Sequence, residues 1–511
     1  MISKVYGLKT YQRIILSVLS ATFLFLSFKE LGFFAWFSFI PFLFAITGTD
    51  LKWSILYGVI CGIGFFAGMT YWLVELYVKY TWPIVAVALC FYFLVFSIAA
   101  YFILNRVKNL YIRAILIAAV WIFVEFVRSQ TFLAFTIGII GYSQHNFLPL
   151  MQITRFTGIY GVSFIVLIFN MAVYENIRSF VSQKKINFKF IAISLSLLVL
   201  FCVYGINSMN HNMDRNIEKK GYKKIEIAAV QPRVLFGTKY KNEGFEIIPE
   251  PYSESDYFKP GTELVIFSES GLWGNKDENE DFFDWAEGAL KKADIWMLVG
   301  QIAHDVKREV WSNSLILYDS DLQEQGRYDE IHLVPFSQYM PHPEFLGFLT
   351  FLDLSIVNLK PGDSYVPIFM DGKGMLGFSI CYESTLPYIS QRFRREGAEV
   401  IIVASDDSSL NDSIAPWHHL IFSKTRAIEN GSYVIHCANT GFSAIISPAG
   451  NFVDKLDLMD KGVLYGAVYL IPEKTFYAKY GNILLYIYLA FSVFIAIAYP
   501  LWKIRKTKKL K

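Results

Sequence analysis

Eight apolar stretches of about twenty residues constrain this chain more than any other feature. Seven fall in the first two hundred residues, near 13–28, 31–47, 54–76, 82–104, 112–128, 161–181 and 189–208, and the eighth lies near 482–502. Roughly twenty helical residues cross a hydrocarbon core of about 30 Å. In that medium every backbone N–H and C=O must be bonded within the protein, so these stretches are expected to be helices. The first two are the shortest and meet at Lys29-Glu30. Residues 129–160 are aromatic and amphipathic, which fits a re-entrant or interfacial segment or simply a long loop. The N-terminus, MISKVYGLKTYQR, is basic but shows no clear small-residue cleavage site, so the first span reads as uncleaved.

Between the seventh and eighth stretches lies a polar region. The expected organisation is a membrane domain of seven helices over 1–209, an extracytoplasmic α/β domain over 210–480, and a final span with a basic tail over 481–511. Orientation follows from the basic residues. Lys4, Lys9 and Arg13, then Lys52, then Arg106, Lys108 and Arg113, then Arg178, Lys184, Lys185 and Lys189, and finally Lys503 to Lys511 all fall on one side of the spans. The other side's short loops hold little beyond Lys29, Lys79 and Arg128. Positive charge marks the cytoplasmic side, so both termini are expected there and the polar region outside. A net charge of +3 gives no reason to expect a nucleic-acid partner. Five cysteines, Cys61, Cys90, Cys202, Cys381 and Cys437, show no paired spacing, which argues against a disulfide framework or a zinc site. No metal or cofactor is expected.

Within 224–470, short apolar runs alternate with helical patterns. Expected strands are 225–231, 263–269, 295–303, 312–319, 375–381, 398–405, 432–439 and 443–448; expected helices are 277–293 and 415–431, with another from Leu386 to Arg395. Strands separated by helices imply a layered α/β sheet, a class of fold that places its chemistry at strand ends.

Two residues stand at such ends: Glu269 closes ELVIFSE and Cys381 closes MLGFSIC. A thiol is a useful nucleophile only as a thiolate, formed by a neighbouring base or a cationic setting. Cys381, between a strand and a helix, can stand on a tight turn with backbone N–H groups open to an oxyanion. Glu269 is the matching acid–base group. Taken singly, such a cysteine is more often a buried core residue and such a glutamate a surface acid. Glu383, two residues on, reads equally as support for the site or as a helix N-terminal charge. No spacing among His332, His418, His419 and His436 favours a Cys–His pair.

An ordered set of motifs adds to this. The first half carries Tyr71-Trp72, WIFVEFVR (121–128), GYSQ (141–144), Gln152 and TGIYGVSF (157–164). The polar region carries VQPRV (230–234), IFSES (266–270), HLVPFSQYMP (332–341), ICYES (380–384), NDSIAPW (411–417), TRAIENG (425–431), NTGFSA (439–444) and TFYAKYG (475–481). In these motifs, over nearly its whole length, the chain resembles the bacterial apolipoprotein N-acyltransferases. The resemblance implies a multi-span α-helical membrane domain and an extracytoplasmic nitrilase-like αββα sandwich, in the bacterial cytoplasmic (inner) membrane with the catalytic domain on the periplasmic side. It implies a Glu–Lys–Cys triad with Glu269 as acid and base, Cys381 as nucleophile, and Tyr382 and Glu383 as active-site support. It further implies ping-pong transfer of an acyl chain from a phospholipid donor, through a Cys thioester, to the α-amine of a diacylglyceryl-lipoprotein acceptor.

The chain departs from the pattern where the triad lysine belongs. That residue lies three before the Leu of LVPF, and here the position is Glu330, in RYDEIHLVPF. Ser337-Gln338 replaces a Gly-Glu pair, SDDSSLND (405–412) replaces a segment rich in Trp, Phe and Gly, and Thr136-Ile137 replaces a Pro-Trp element. An added carboxylate raises the pKa of neighbouring acids and disfavours a thiolate. Losing one oxyanion donor costs about 10²–10³ in rate. Glu330 is therefore expected to limit turnover, and Glu330→Lys to raise it, unless Glu330 is neutral or a cation such as Arg327 reaches in. Three readings stay open: an N-acyltransferase with a modified triad, a weak or inactive paralogue that binds lipid or lipoprotein, and a membrane-anchored carbon–nitrogen hydrolase.

Overall fold

The computed structural model describes residues 7–75, 81–130, 133–235, 259–306, 309–347, 357–410 and 413–508. The chain divides into two compact units, one of residues 1–71, 80–207 and 482–511, the other of 72–79 and 208–481. In the first unit, α1 (Thr10–Leu26), α2 (Phe39–Ile46), α3 (Leu51–Met69), α4 (Thr81–Arg106), α5 (Leu110–Arg128), α6 (Ile159–Gln183) and α7 (Phe188–His211) precede the C-terminal helix Ile483–Lys508. Among the described residues, α3 to α7 are long and apolar enough to cross a membrane; the other three apolar segments are shorter. The second apolar stretch is broken, with a 3₁₀ turn (Gly32–Phe37) before α2. Inside this unit Arg113 forms a two-pronged bridge to Glu175, 2.5 Å on each arm.

The segment left open at 129–160 is neither a span nor a free loop. It holds a 3₁₀ turn (Ile140–Gln144) and two single-turn helices, and the 3₁₀ turn is buried. Irregular backbone can sit at membrane depth only where protein satisfies its polar groups. Here Glu125 accepts from Ile140 N at 2.7 Å and Ser163 Oγ accepts from Gly141 N at 3.1 Å.

The second unit is built on two sheets. The strands are β1 (Lys224–Gln231), β2 (Leu264–Phe267), β3 (Leu272–Trp273), β4 (Trp296–Asp305), β5 (Val310–Tyr318), β6 (Glu324–Asp329), β7 (Ile368–Met370), β8 (Gly374–Ile380), β9 (Val400–Ser405), β10 (Val434–Ala438), β11 (Ser443–Ile446), β12 (Phe452–Leu456) and β13 (Gly462–Tyr469). One sheet runs β13-β1-β2-β4-β5-β6, with β3 on β4; the other runs β12-β11-β10-β9-β8-β7. The central strands β1, β2 and β4 are parallel, as are β8, β9 and β10. Parallel strands are covered on both faces and so read as unbroken apolar runs. Ala228, Val230, Val265, Phe267, Met297 and Val299 pack with α8 (Glu280–Leu290) in one cluster. The alternate residues Ile227, Ala229, Leu264, Ile266 and Leu298 are just as buried, on the opposite face. There the sheets meet: Cys437 Sγ of β10 donates to Val230 O and Ile266 O at 3.4 Å each. On the second sheet α9 (Pro387–Glu396) sets Phe393 against Phe378, and α10 (Ala415–Asn430) is almost wholly buried. The layers are helix, sheet, sheet and helix. Each expected strand is present, four of the eight shortened; β3, β6, β7, β12 and β13 are additional.

Candidate active site

The site forms where carboxyl ends of both sheets come together. In the second sheet Ile380 of β8 lies opposite Ala404 of β9, so the next residues, Cys381 and Ser405, are side by side. Cys381 has φ 44°, a left-handed conformation that a non-glycine residue adopts only where its surroundings enforce it. Glu383 does the enforcing. Its buried carboxylate accepts from Ile380 N at 2.9 Å, closing the turn over Cys381. It also accepts from Tyr328 Oη at 2.6 Å, Ile331 N at 2.8 Å and His332 N at 3.0 Å. Burial raises its pKa, and these donors offset part of that rise. Glu383 thus locks the turn bearing Cys381 to the segment bearing Glu330. Tyr382 is partly exposed, its ring 6.3 Å from that of His332.

Glu269 enters from the first sheet, two residues past β2. A Cβ at Gly300 would overlap Ser268 O and the Glu269 Cα, so only glycine lets β4 run this close. Glu269 is buried; its Oε2 accepts from Asp406 N at 2.7 Å and its Oε1 from Asn313 Nδ2 at 2.8 Å. Because Asp406 follows Ser405 on the strand end beside Cys381, the carboxylate and thiol expected to act together are brought together. Desolvation, with the charges of Glu269 and Asp407 beside it, holds the Cys381 thiol well above its ordinary pKa. A thiol held this way is neutral at rest, and to act as a nucleophile it needs a base at the moment of attack.

Glu330 is fully buried. The same Asn313 Nδ2 that serves Glu269 donates to Glu330 Oε2 at 2.8 Å, and Gln338 Nε2 donates to that oxygen at 2.6 Å. Desolvation, with Glu383 and Glu269 nearby, raises the Glu330 pKa well above the carboxylate range. That direction favours the neutral acid, the case in which Glu330 brings no charge reversal. Arg327 does not supply a replacement cation, because its Nε is bound to Asp329 Oδ1 at 2.6 Å.

A histidine that spacing alone did not favour is present. Cys381 Sγ, an Asp407 carboxylate oxygen and a His419 ring nitrogen all lie within 4.8 Å of one another. Asp407 Oδ1 meets His419 Nδ1 at 2.8 Å and accepts from Ser405 Oγ at 3.1 Å. Thus part of the altered segment 405–412 builds the site; residues 411 and 412 lie outside the described residues. Desolvation lowers the His419 pKa, but the Asp407 charge and hydrogen bond, with Glu269, outweigh it and leave a net rise. A raised folded-state pKa stabilises the fold at low pH, and that contribution disappears as pH rises through it. His419→Gln is therefore expected to lower the melting temperature more at pH ~6 than at pH ~9. Melting curves of both proteins at the two pH values check this; an equal loss at both would show that His419 is neutral.

The sequence singled out Glu269, Cys381, Tyr382 and Glu383, named His419 without favouring it and Gln338 only as a departure, and did not single out Asn313 or Asp407. Asn313 lies in the expected strand 312–319 and Gln338 in the motif HLVPFSQYMP.

Comparison with known proteins accounts for this arrangement. Residues 20–172 match the apolipoprotein N-acyltransferase N-terminal domain and residues 224–470 match the carbon-nitrogen hydrolase family. An apolipoprotein N-acyltransferase of Geobacter metallireducens is 27% identical over 485 residues, covering 92% of each chain. One of Rickettsia bellii is 30% identical over 475 residues, covering 85% of this chain and 87% of its own. Apolipoprotein N-acyltransferase 1 of Treponema denticola is 23% identical over 500 residues, 90% of each. With both halves matched in order and full-length relatives aligned end to end, the chain belongs to the apolipoprotein N-acyltransferase family.

Proposed function

We propose that this protein moves an acyl chain from a phospholipid to the α-amine of a diacylglyceryl-modified N-terminal cysteine, through a thioester on Cys381. The observation that carries the reading is the convergence of Glu269 and Cys381, with the carboxylate fixed by Asp406 N. Glu269 takes the thiol proton as sulfur attacks the ester carbonyl. The C–S bond forms, the ester C–O bond breaks, and the lysophospholipid alkoxide leaves with the proton from Glu269. The acceptor amine then attacks the thioester, its proton passes through Glu269 to the departing sulfur, and an amide and the free thiol result. Glu383 and Tyr382 support the site, the first by bracing the turn.

The membrane unit fits substrates that are themselves anchored in lipid. Drawing an acyl chain into water costs about 0.8 kcal/mol per CH₂. A site at the membrane surface avoids that cost. The distribution of basic residues supports a hydrolase-like unit on the outer face of the inner membrane.

The test is an acyl adduct. Protein incubated with phospholipid is expected to gain one hydroxylamine-sensitive acyl mass on the Cys381 peptide, absent in Cys381→Ser. Transfer of that mass to a diacylated lipopeptide identifies a transferase, and release as free fatty acid a hydrolase. A parent protein that binds phospholipid and gains no adduct is a binding protein, and the proposal fails.

A further inference from the structure

The side chain of Glu330 has an arrangement that an ordinary buried carboxylate lacks. Both of its hydrogen bonds fall on one oxygen, Oε2, which receives Asn313 Nδ2 and Gln338 Nε2. The other oxygen, Oε1, is buried and has no protein partner. An oxygen that already accepts two N–H groups is a poor seat for a proton, so the proton of the neutral acid resides on Oε1. The amides are pinned in these orientations. Asn313 Nδ2 also donates to Glu269 Oε1, and Gln338 Oε1 accepts from Val334 N at 2.5 Å. A flip of either would break those bonds. The result is a single O–H donor with no acceptor, tied through one amide nitrogen to the acid–base residue.

We infer that Glu330 acts as a neutral carboxylic acid whose Oε1–H donates to the oxyanion formed when Cys381 attacks its acyl substrate. This rests on the acyl-transfer reading above. As the C–S bond forms, the carbonyl π pair moves onto oxygen and a negative charge develops in a site of low polarity. Glu330 donates a hydrogen bond to that oxygen and keeps its proton, which stays in place when the tetrahedral species collapses. A carboxylic acid held neutral by its surroundings can serve as an oxyanion donor. The groups that face Glu330 favour the neutral form: Glu383 and Glu269 raise its pKa, and Cys381 and Tyr328 stand close enough to interact with it. A charged donor at this position is thus replaced by a neutral one, and Gln338 supplies the N–H that fixes which oxygen is free.

The experiment measures single-turnover thioester formation on full-length protein in phospholipid vesicles, across pH, for the parent, Glu330→Gln and Glu330→Met. Met removes the donor, and its rate is expected to fall about 10²–10³-fold. Gln can keep Oε1 toward Asn313 and Gln338 and present N–H in place of O–H, so it is expected to recover roughly tenfold of that loss. The parent rate is expected to fall at alkaline pH as Glu330 ionises, and Glu330→Gln to lack that limb. An infrared C=O band of a protonated carboxyl, present in the parent and absent in Glu330→Gln, reads the proton without any turnover. Equal rates for Met and parent, or a parent without the protonated-carboxyl band, would overturn the inference. If the band is present and the parent forms no thioester, the acyl-transfer reading has failed, and the oxyanion role with it. Melting curves separate misfolding of the Met variant from loss of the donor.

Discussion

Glu269→Gln is expected to slow thioester formation by about 10²–10⁴-fold, the range for loss of a general base, while leaving phospholipid binding in place. The size of the effect follows from the state of the thiol. Cys381 sits among Glu269, Asp407 and Glu330, and its pKa is held well above that of a free cysteine. At neutral pH almost no thiolate exists in advance, so sulfur must lose its proton as it attacks. Glu269 is placed to receive it: its two oxygens are anchored by Asn313 Nδ2 and Asp406 N. Glutamine fills the same volume and can keep an oxygen toward one donor, but it cannot accept a proton. A rapid-mix assay of the acyl adduct, paired with a direct lipid-binding measurement, separates the two effects. A tenfold or smaller decrease would mean that another group deprotonates Cys381, and His419, with a ring nitrogen within 4.8 Å of the Cys381 sulfur, would be the one to examine.

Much of this was legible in the chain, for reasons that differ by residue. The central parallel strands announce themselves because burial on both faces leaves no polar interruption, and the long helices because about twenty apolar residues run with almost no charge. β6, EQGRYD, is invisible to that logic: it lies at the edge of its sheet with most residues part-exposed, so nothing in its pattern is apolar. β7 is three residues long, and β12, FVDKL, is interrupted by Asp454-Lys455 and has no buried residue. The site divides in the same way. Glu269 and Cys381 could be named because each closes an apolar run. Asp407 and His419 are twelve residues apart and meet only because α10 folds back over the second sheet. Glu330 was visible as an anomaly with two outcomes, a carboxylate that limits turnover or a neutral acid. The fold, with two pinned amides and full burial, favours the neutral acid.

A neutral Glu330 reverses the expectation for Glu330→Lys. Taken alone, the substitution is expected to lower thioester formation, by about 10²-fold if the lysine cannot reach the oxyanion. The ammonium would meet two N–H donors, Asn313 Nδ2 and Gln338 Nε2, where the carboxyl oxygen now accepts both. Neither amide is free to turn. Rotating Asn313 would aim its oxygen at Glu269, and rotating Gln338 would set its NH₂ against Val334 N. A buried cation without an acceptor is among the more destabilising changes a protein can suffer. The double substitution Glu330→Lys with Gln338→Glu removes the conflict. One oxygen of a glutamate at 338 can keep the bond from Val334 N, and the other can accept from the lysine. The pair then carries no net charge beyond that of the parent site at neutral Glu330, and the lysine presents a cation toward the thiol and the oxyanion. The double variant is expected to exceed the single one by at least tenfold, a coupling of about 1.4 kcal/mol. A double-mutant cycle with Gln338→Glu alone measures that coupling directly. If Glu330→Lys by itself is as fast as the double variant, the amides at 313 and 338 do not govern what position 330 can be, and the neutral-acid description of this site loses its structural basis.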